Sequence, residues 1–234
     1  MLYFGGKILL LAAILCLETS AKACTVAIAQ DGVSVVQRSA DGEWKHSRMV
    51  TLLIHEALEQ AQCTLKDLEA VAVSQGPGSY TGLRVGASCA KGLCYGSHLR
   101  LLAIPTLTII AQAQLHLGTE HIVPMIDARR MEVYYNIYDR ALQPMQETNN
   151  LILDTDSFHR IKDKQVVFCG DGAFKLREFD LSEGWQIVDE GALAQHMAPL
   201  AEARFQQQIF EDVAYYVPFY LKPPNITKSK KPLF

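Results

Sequence analysis

The sequence predicts an α/β protein, and three observations predict it. A β-rich run at 71–74 passes through a glycine turn, Gly76-Pro77-Gly78, into a helically spaced segment at 83–95. Apolar strand candidates at 14–20, 25–29 and 33–36 are arranged as a meander, the last two joined by Asp31-Gly32, a strong hairpin signal. A second strand-then-glycine-turn follows at 166–173, through Gly170-Asp171-Gly172 toward a helix near Phe174. A length of 234 residues suffices for one large domain or two small ones.

The meander begins after an N-terminal run, Lys7 followed by apolar residues to Leu17, that has the look of a signal-peptide core, with Ala21-Lys22-Ala23 in the place of a cleavage site. Glu18 and Lys22 interrupt that flank, and the run is too short to span a membrane. Residues 14–20 read instead as a buried strand ending in polar residues, with residues 1–12 as an extension or start-site artefact. From 45 to 61 the apolar residues, among them Met49, Val50 and Leu53, cover a broad helical face, with His46 just before the capping Ser47.

The glycine turn stands where a helix N-terminus presents unpaired amides to an anion. Neither nucleotide-loop pattern is met: the lysine of a Walker loop is missing, and Thr81 stands where a dinucleotide fingerprint needs its third glycine. In the helix that follows, Gly82, Gly86, Ala90 and Cys94 recur every four residues and line one face. Such a face permits close helix approach, either against the protein's own sheet or against a partner helix.

Beyond it, a strand candidate at 100–104, a helix at 106–117 and alternating strands from Glu132 follow. Asp127 and Arg129, at the turn before Glu132, admit a catalytic role or a turn brace. A short helix around Ser157, an amphipathic helix at 192–210 and a basic tail at 223–234 complete the chain. The net charge of −3 argues against broad nucleic-acid binding, which clustered cations drive. Six cysteines show no CxxC pair, which fits a reducing cytoplasm. No two of the seven histidines stand four apart, so a helical metal-ligand pair is missing.

Three runs carry a family resemblance: Ile14-Leu15-Cys16-Leu17-Glu18-Thr19-Ser20; Ser74-Gln75-Gly76-Pro77-Gly78-Ser79-Tyr80-Thr81-Gly82-Leu83-Arg84-Val85-Gly86; and Asp127-Ala128-Arg129-Arg130 with Glu132-Val133-Tyr134. Together they resemble the bacterial TsaB (YeaZ) family, relatives of the metal-binding TsaD that lack its His-x-x-x-His pair. The resemblance implies a two-lobed actin/sugar-kinase/Hsp70-like (RNase H-like) fold, each lobe a mixed sheet with helices. The lobes would span 13–117 and 118–222.

It also implies a non-catalytic, cytoplasmic subunit in making threonylcarbamoyladenosine on tRNA, next to the anticodon. Such a subunit would heterodimerise with a TsaD-type transferase, work with a TsaE-type ATPase, and meet tRNA through the complex, with a homodimer when alone and no membrane. It would need no cofactor of its own, ATP and metal residing on the partners. The two helices at 45–61 and 81–96 would form the interface, through His46, Met49, Val50, Leu53, Gly82, Gly86, Ala90 and Cys94. Glu18, Thr19, Ser20, Gly76, Gly78 and Ser79 would be vestigial phosphate or nucleotide contacts. The competing functions are a stand-alone glycoprotease-like peptidase and an actin-like ATPase or kinase.

Overall fold

The computed structural model describes residues 13–40 and 46–223, the side chains of 46–48 excepted, plus the backbone of 3–4 and 7–8, which pair antiparallel. The rest of the expected 1–12 extension lies outside the described residues, as does the tail from residue 224.

Two five-stranded sheets share one topology. The first is built from β1 (Ala13–Glu18), β2 (Cys24–Gln30), β3 (Val33–Ala40), β4 (Leu68–Gly76) and β5 (Arg100–Pro105), in the order β3-β2-β1-β4-β5. The second uses β6 (His121–Asp127), β7 (Glu132–Tyr135), β8 (Asn149–Ile152), β9 (Val166–Cys169) and β10 (Trp185–Val188), in the order β8-β7-β6-β9-β10. In each, an antiparallel meander of three strands is extended by two parallel strands. Asp31 and Gly32 turn β2 into β3 with φ of +50° and +75°, both central positions being left-handed as the tightest hairpin turns require.

β1 is the middle strand of its sheet and is buried on both faces. Ala13, Leu15 and Leu17 enter one core while Ile14 and Cys16 enter another. That explains its unbroken apolar run, because a strand covered on both sides has no polar alternation. Helices α1 (His46–Gln60) and α2 (Tyr80–Ser97) lie on the first of these faces. The opposite face meets α3 (Thr106–Ala113), which also touches β6 and so joins the two sheets. Residues 192–201 and α4 (Ala198–Gln206) return to this same face. The C-terminal part of the expected second lobe, 118–222, therefore packs on the first sheet. In the second half, the expected helices near Ser157 and Phe174 are short 3-10 turns, His159–Ile161 and Ala173–Glu178.

The small-residue row of α2 faces inward. Gly82, Gly86, Ala90 and Cys94 are all buried, as are Val50 and Leu53 of α1, and Met49 is half-buried against the same core. The side chain of His46 lies outside the described residues. A Cβ on Gly82 would stand 2.0 Å from the Thr19 carbonyl oxygen, and one on Gly86 would stand 2.3 Å from Thr19 Oγ1. Small residues stand here because the helix must approach the end of β1, so seven of the eight expected interface residues are core or its margin. The outward row of α2 is Arg84, Ser88, Gly92 and Gly96, and a Cβ on either of those glycines would meet nothing within 4 Å.

These two rows respond oppositely to substitution. Gly86→Leu costs about 3 kcal/mol of folding stability through overpacking, whereas Gly92→Ala stabilises by up to ~1 kcal/mol through helix propensity. Urea unfolding midpoints measure both, and an unshifted midpoint for Gly86→Leu would show that the inner row is not close-packed.

Candidate functional site: interlobe cleft and outer helix groove

The tip of β1 and the glycine turn come together at the mouth of a cleft of about 680 Å³ between the two halves. Ser20, Gly78 and Ser79 line it, with Lys22, Asp127, Arg129 and Asp171. Three amides of the turn and the helix start, those of Gly76, Ser79 and Gly82, are engaged by the protein itself. The Ser79 amide donates to the Ser20 carbonyl at 2.8 Å, and Ser79 Oγ caps α2 by accepting from the Gly82 amide at 3.2 Å. Gly78 lies so close to Ser20 that an added Cβ would stand 2.7 Å from its side chain. Gly76 adopts φ of +112°, its amide donates to Thr106 Oγ1 at 3.1 Å, and the Phe219 carbonyl lies where a Cβ would be. Thr19 is buried and its hydroxyl donates to the Gly82 carbonyl at 2.8 Å.

Glu18 is fully buried below this mouth. Its Oε1 accepts from the Ser20 amide at 2.6 Å and the Ser20 hydroxyl at 2.5 Å. Burial pushes the carboxyl above its ordinary pKa, and the Ser20 bonds only partly offset that. Of the six sequence-derived candidates, Ser20, Gly78 and Ser79 thus face the cleft, while Glu18, Thr19 and Gly76 form the packed layer that holds them.

The opposite wall comes from the second half. Asp127 Oδ1 accepts from the Arg129 amide at 2.6 Å and from Lys175 Nζ at 2.5 Å. Burial raises its pKa, but the Lys175 and Arg129 bonds outweigh this and hold it below the usual carboxylate range. Asp171 accepts from the Asp127 amide at 2.9 Å, and burial, with the nearby Asp127 charge, pushes its own pKa up. Arg129 and Arg130 take φ of +73° and +51°, so the turn is closed by two arginines in a region that glycine and asparagine prefer. Asp127 therefore braces this turn and pairs with a lysine across it. Among the described residues no cluster of three or more His, Cys, Asp or Glu could hold a metal. All six cysteines are free, and burial drives the Cys16 thiol up to about 12, leaving it a small hydrophobe.

The second surface is a shallow groove between α1 and α2. Val50, Val85 and Cys89 form its floor, and Thr51, Tyr80, Thr81, Arg84 and Ser88 its rim. Leu52 of α1 is 47% exposed nearby in sequence, and Arg84 packs over the Tyr80 ring at 5.3 Å while its guanidinium donates to the Tyr80 hydroxyl at 3.2 Å. Arg84, Ser88 and Gly92 were not among the sequence-derived candidates. Their signal was present, since they too recur every four residues, offset by two from the inner row.

Glu18 yields a pH signature. Its folded pKa is raised, so its contribution is fully present below the unfolded carboxylate value near ~4.3 and falls as pH rises toward the folded value. Comparing thermal melts of wild type and Glu18→Gln, the stability difference shifts in favour of the variant as pH rises from acid to neutral. A pH-independent difference would mean that the carboxyl ionises alike in both states.

A family model described as TsaD, tRNA N6-adenosine threonylcarbamoyltransferase, matches residues 42–230. The tRNA threonylcarbamoyladenosine biosynthesis protein TsaB of Escherichia coli K12 is 28% identical over 228 residues, covering 94% of this chain and 98% of that one. TsaB of Buchnera aphidicola subsp. Schizaphis graminum is 31% identical, with 70% and 80% covered. TsaB of Haemophilus influenzae is 38% identical over a match spanning about half of each chain, 53% and 52%. Among solved structures, YeaZ from Pseudomonas aeruginosa superposes with a TM-score of 0.77 at 22% identity, over 90% of this chain and all of that one, a likeness of fold. With the duplicated mixed sheet, the glycine turn and these matches together, the chain belongs to the TsaB (YeaZ) family.

Proposed function

We propose that this chain is a subunit in forming threonylcarbamoyladenosine on tRNA and that it works without catalysing a step itself. In this reading it docks a TsaD-type transferase on the outer face of α1 and α2. With a TsaE-type ATPase present, it favours the transferase's competent conformation by binding that conformation more tightly. The observation that carries the reading is the outward row Arg84, Ser88, Gly92 and Gly96 beside the apolar-floored groove, a low-relief surface on two long helices. It suits a helical partner, because small contact residues let helix axes approach closely. The names of the TsaB relatives supply the pathway.

The cleft supports a subsidiary role for the chain's own chemistry. The Ser79 amide is engaged by the Ser20 carbonyl and the Gly82 amide by Ser79 Oγ, and Asp127 braces a turn and pairs with Lys175. The sequence lacks two histidines four apart, so the reading assigns metal and ATP to the partner subunits and tRNA contact to the complex. It places the protein in the cytoplasm with its tRNA; no described helix is long and apolar enough to cross a membrane.

Reconstitution tests the reading. Purified TsaD-type and TsaE-type subunits with tRNA, threonylcarbamoyl-adenylate and ATP form the modified nucleoside only when this chain is added. Ser88→Arg abolishes co-elution with the TsaD-type subunit while its urea midpoint stays within about 0.5 kcal/mol of wild type, as expected for an exposed site. Turnover of ATP or cleavage of peptide by the isolated chain would instead establish the kinase or peptidase alternative.

A further inference from the structure

The last described segment crosses from one half of the molecule to the other. Asp212 opens a turn whose Ala214 and Tyr216 carbonyls accept from Lys91 Nζ of α2 at 3.0 and 3.1 Å, with Tyr216 buried. The chain then passes the glycine turn, where the Phe219 amide donates to the Gln75 carbonyl at 2.8 Å at the end of β4. Tyr220 follows, its ring 4.9 Å from that of Tyr80 in the first turn of α2. Lys222 then reaches the second half and pairs with Glu132 of β7, which also accepts from Asn150 at 2.6 Å. The segment is a strap, anchored on the first sheet and latched to the second.

Tyr80, with its neighbour Thr81, is shared by two sites. It lines the interlobe cleft and also the rim of the α1–α2 groove. Its ring is held by Arg84 on the groove side and Tyr220 on the strap side. The groove wall is thus in direct contact with the strap, and the strap's latch lies in the other half of the protein.

We propose that the C-terminal strap couples the interlobe cleft to the docking groove: with Lys222 on Glu132 and Tyr220 on Tyr80, the groove wall is fixed in the form a partner helix accepts. The inference rests on the docking reading above and adds its regulation. Because coupling between two sites is reciprocal, a docked partner must in turn favour the seated strap.

Lys222 and Glu132 do not line the groove, so substituting them tests the coupling without touching the docking surface. In calorimetric titration with the transferase-type partner, Lys222→Met and Glu132→Gln each weaken Kd by about twofold to fivefold, the range of one partly exposed ion pair. The double variant is no weaker than the worse single one, since both remove the same latch. Tyr220→Ala, which removes an aromatic contact, weakens Kd by about threefold to tenfold. Hydrogen exchange of peptide 216–223 gives the reciprocal readout, becoming faster in Lys222→Met and slower in wild type saturated with partner. Unchanged Kd in both latch variants, or partner-independent exchange of that peptide, overturns the proposal. Wild-type chain that fails to bind the partner at all overturns the docking reading itself and is recognised before any variant is made.

Discussion

The approach of α2 to the end of β1 is the constraint on which the rest of the structure depends. Gly82 and Gly86 bring the helix against Thr19 so closely that neither position has room for a methyl group, and the Thr19 hydroxyl binds the helix backbone at Gly82. That one contact fixes three things. It seats the N-terminus of α2 against Ser20, whose carbonyl takes the Ser79 amide. It places the inner small row of α2 in the core. By the geometry of a helix it must then present Ser88, Gly92 and Gly96 outward, since residues two positions along lie roughly opposite.

Much of the first half was legible in the sequence because its signals are local. Asp31-Gly32 marks its hairpin by demanding two left-handed residues, and α2 runs 80–97 where the spacing predicted 83–95. The resemblance to TsaB rested on runs that lie at the β1 tip, the glycine turn and the Asp127 turn, all of which the fold gathers around one cleft. The inner-versus-outer choice on α2 was not legible. Both rows repeat every four residues and both are small, so periodicity cannot say which one a sheet covers. Burial decides it, and burial depends on β1 and Thr19, sixty or more residues away in the chain. The contacts of the strap were equally hidden, because those with Gln75, Tyr80 and Glu132 are long-range.

The two halves repeat a sheet but not its dressing. In the first, the turn after β4 meets the tip of β1 through the Ser79 amide and the Ser20 carbonyl. In the second, the equivalent turn after β9 meets the tip of β6 through Asp171 and the Asp127 amide, with the Gly172 amide on the Met125 carbonyl at 3.1 Å. In both turns, therefore, an amide at the cleft is tied back to the central strand of its own half. Gly170 and Gly172 are likewise placed tightly against β6, an added Cβ standing 2.4 Å from the Met125 carbonyl oxygen at Gly170 and 2.9 Å from the Ile126 carbonyl carbon at Gly172.

The asymmetry between the halves explains why one surface stands out. In the first half the crossovers are α1 and α2, of fifteen and eighteen residues, long enough to present a continuous outer face. In the second they are 3-10 turns of three and six residues, which cover the aromatic cluster of Phe158, Phe168 and Trp185 but offer no extended helical ridge. A 3-10 turn eclipses its side chains every third residue and rarely continues, so it cannot build the grooves that helix packing uses. The opposite face of the first sheet is closed by α3, α4 and the joint core with the second sheet. Among the described residues, long helices with an exposed outer face are left only at α1 and α2, and the outer row of α2 carries Ser88, Gly92 and Gly96.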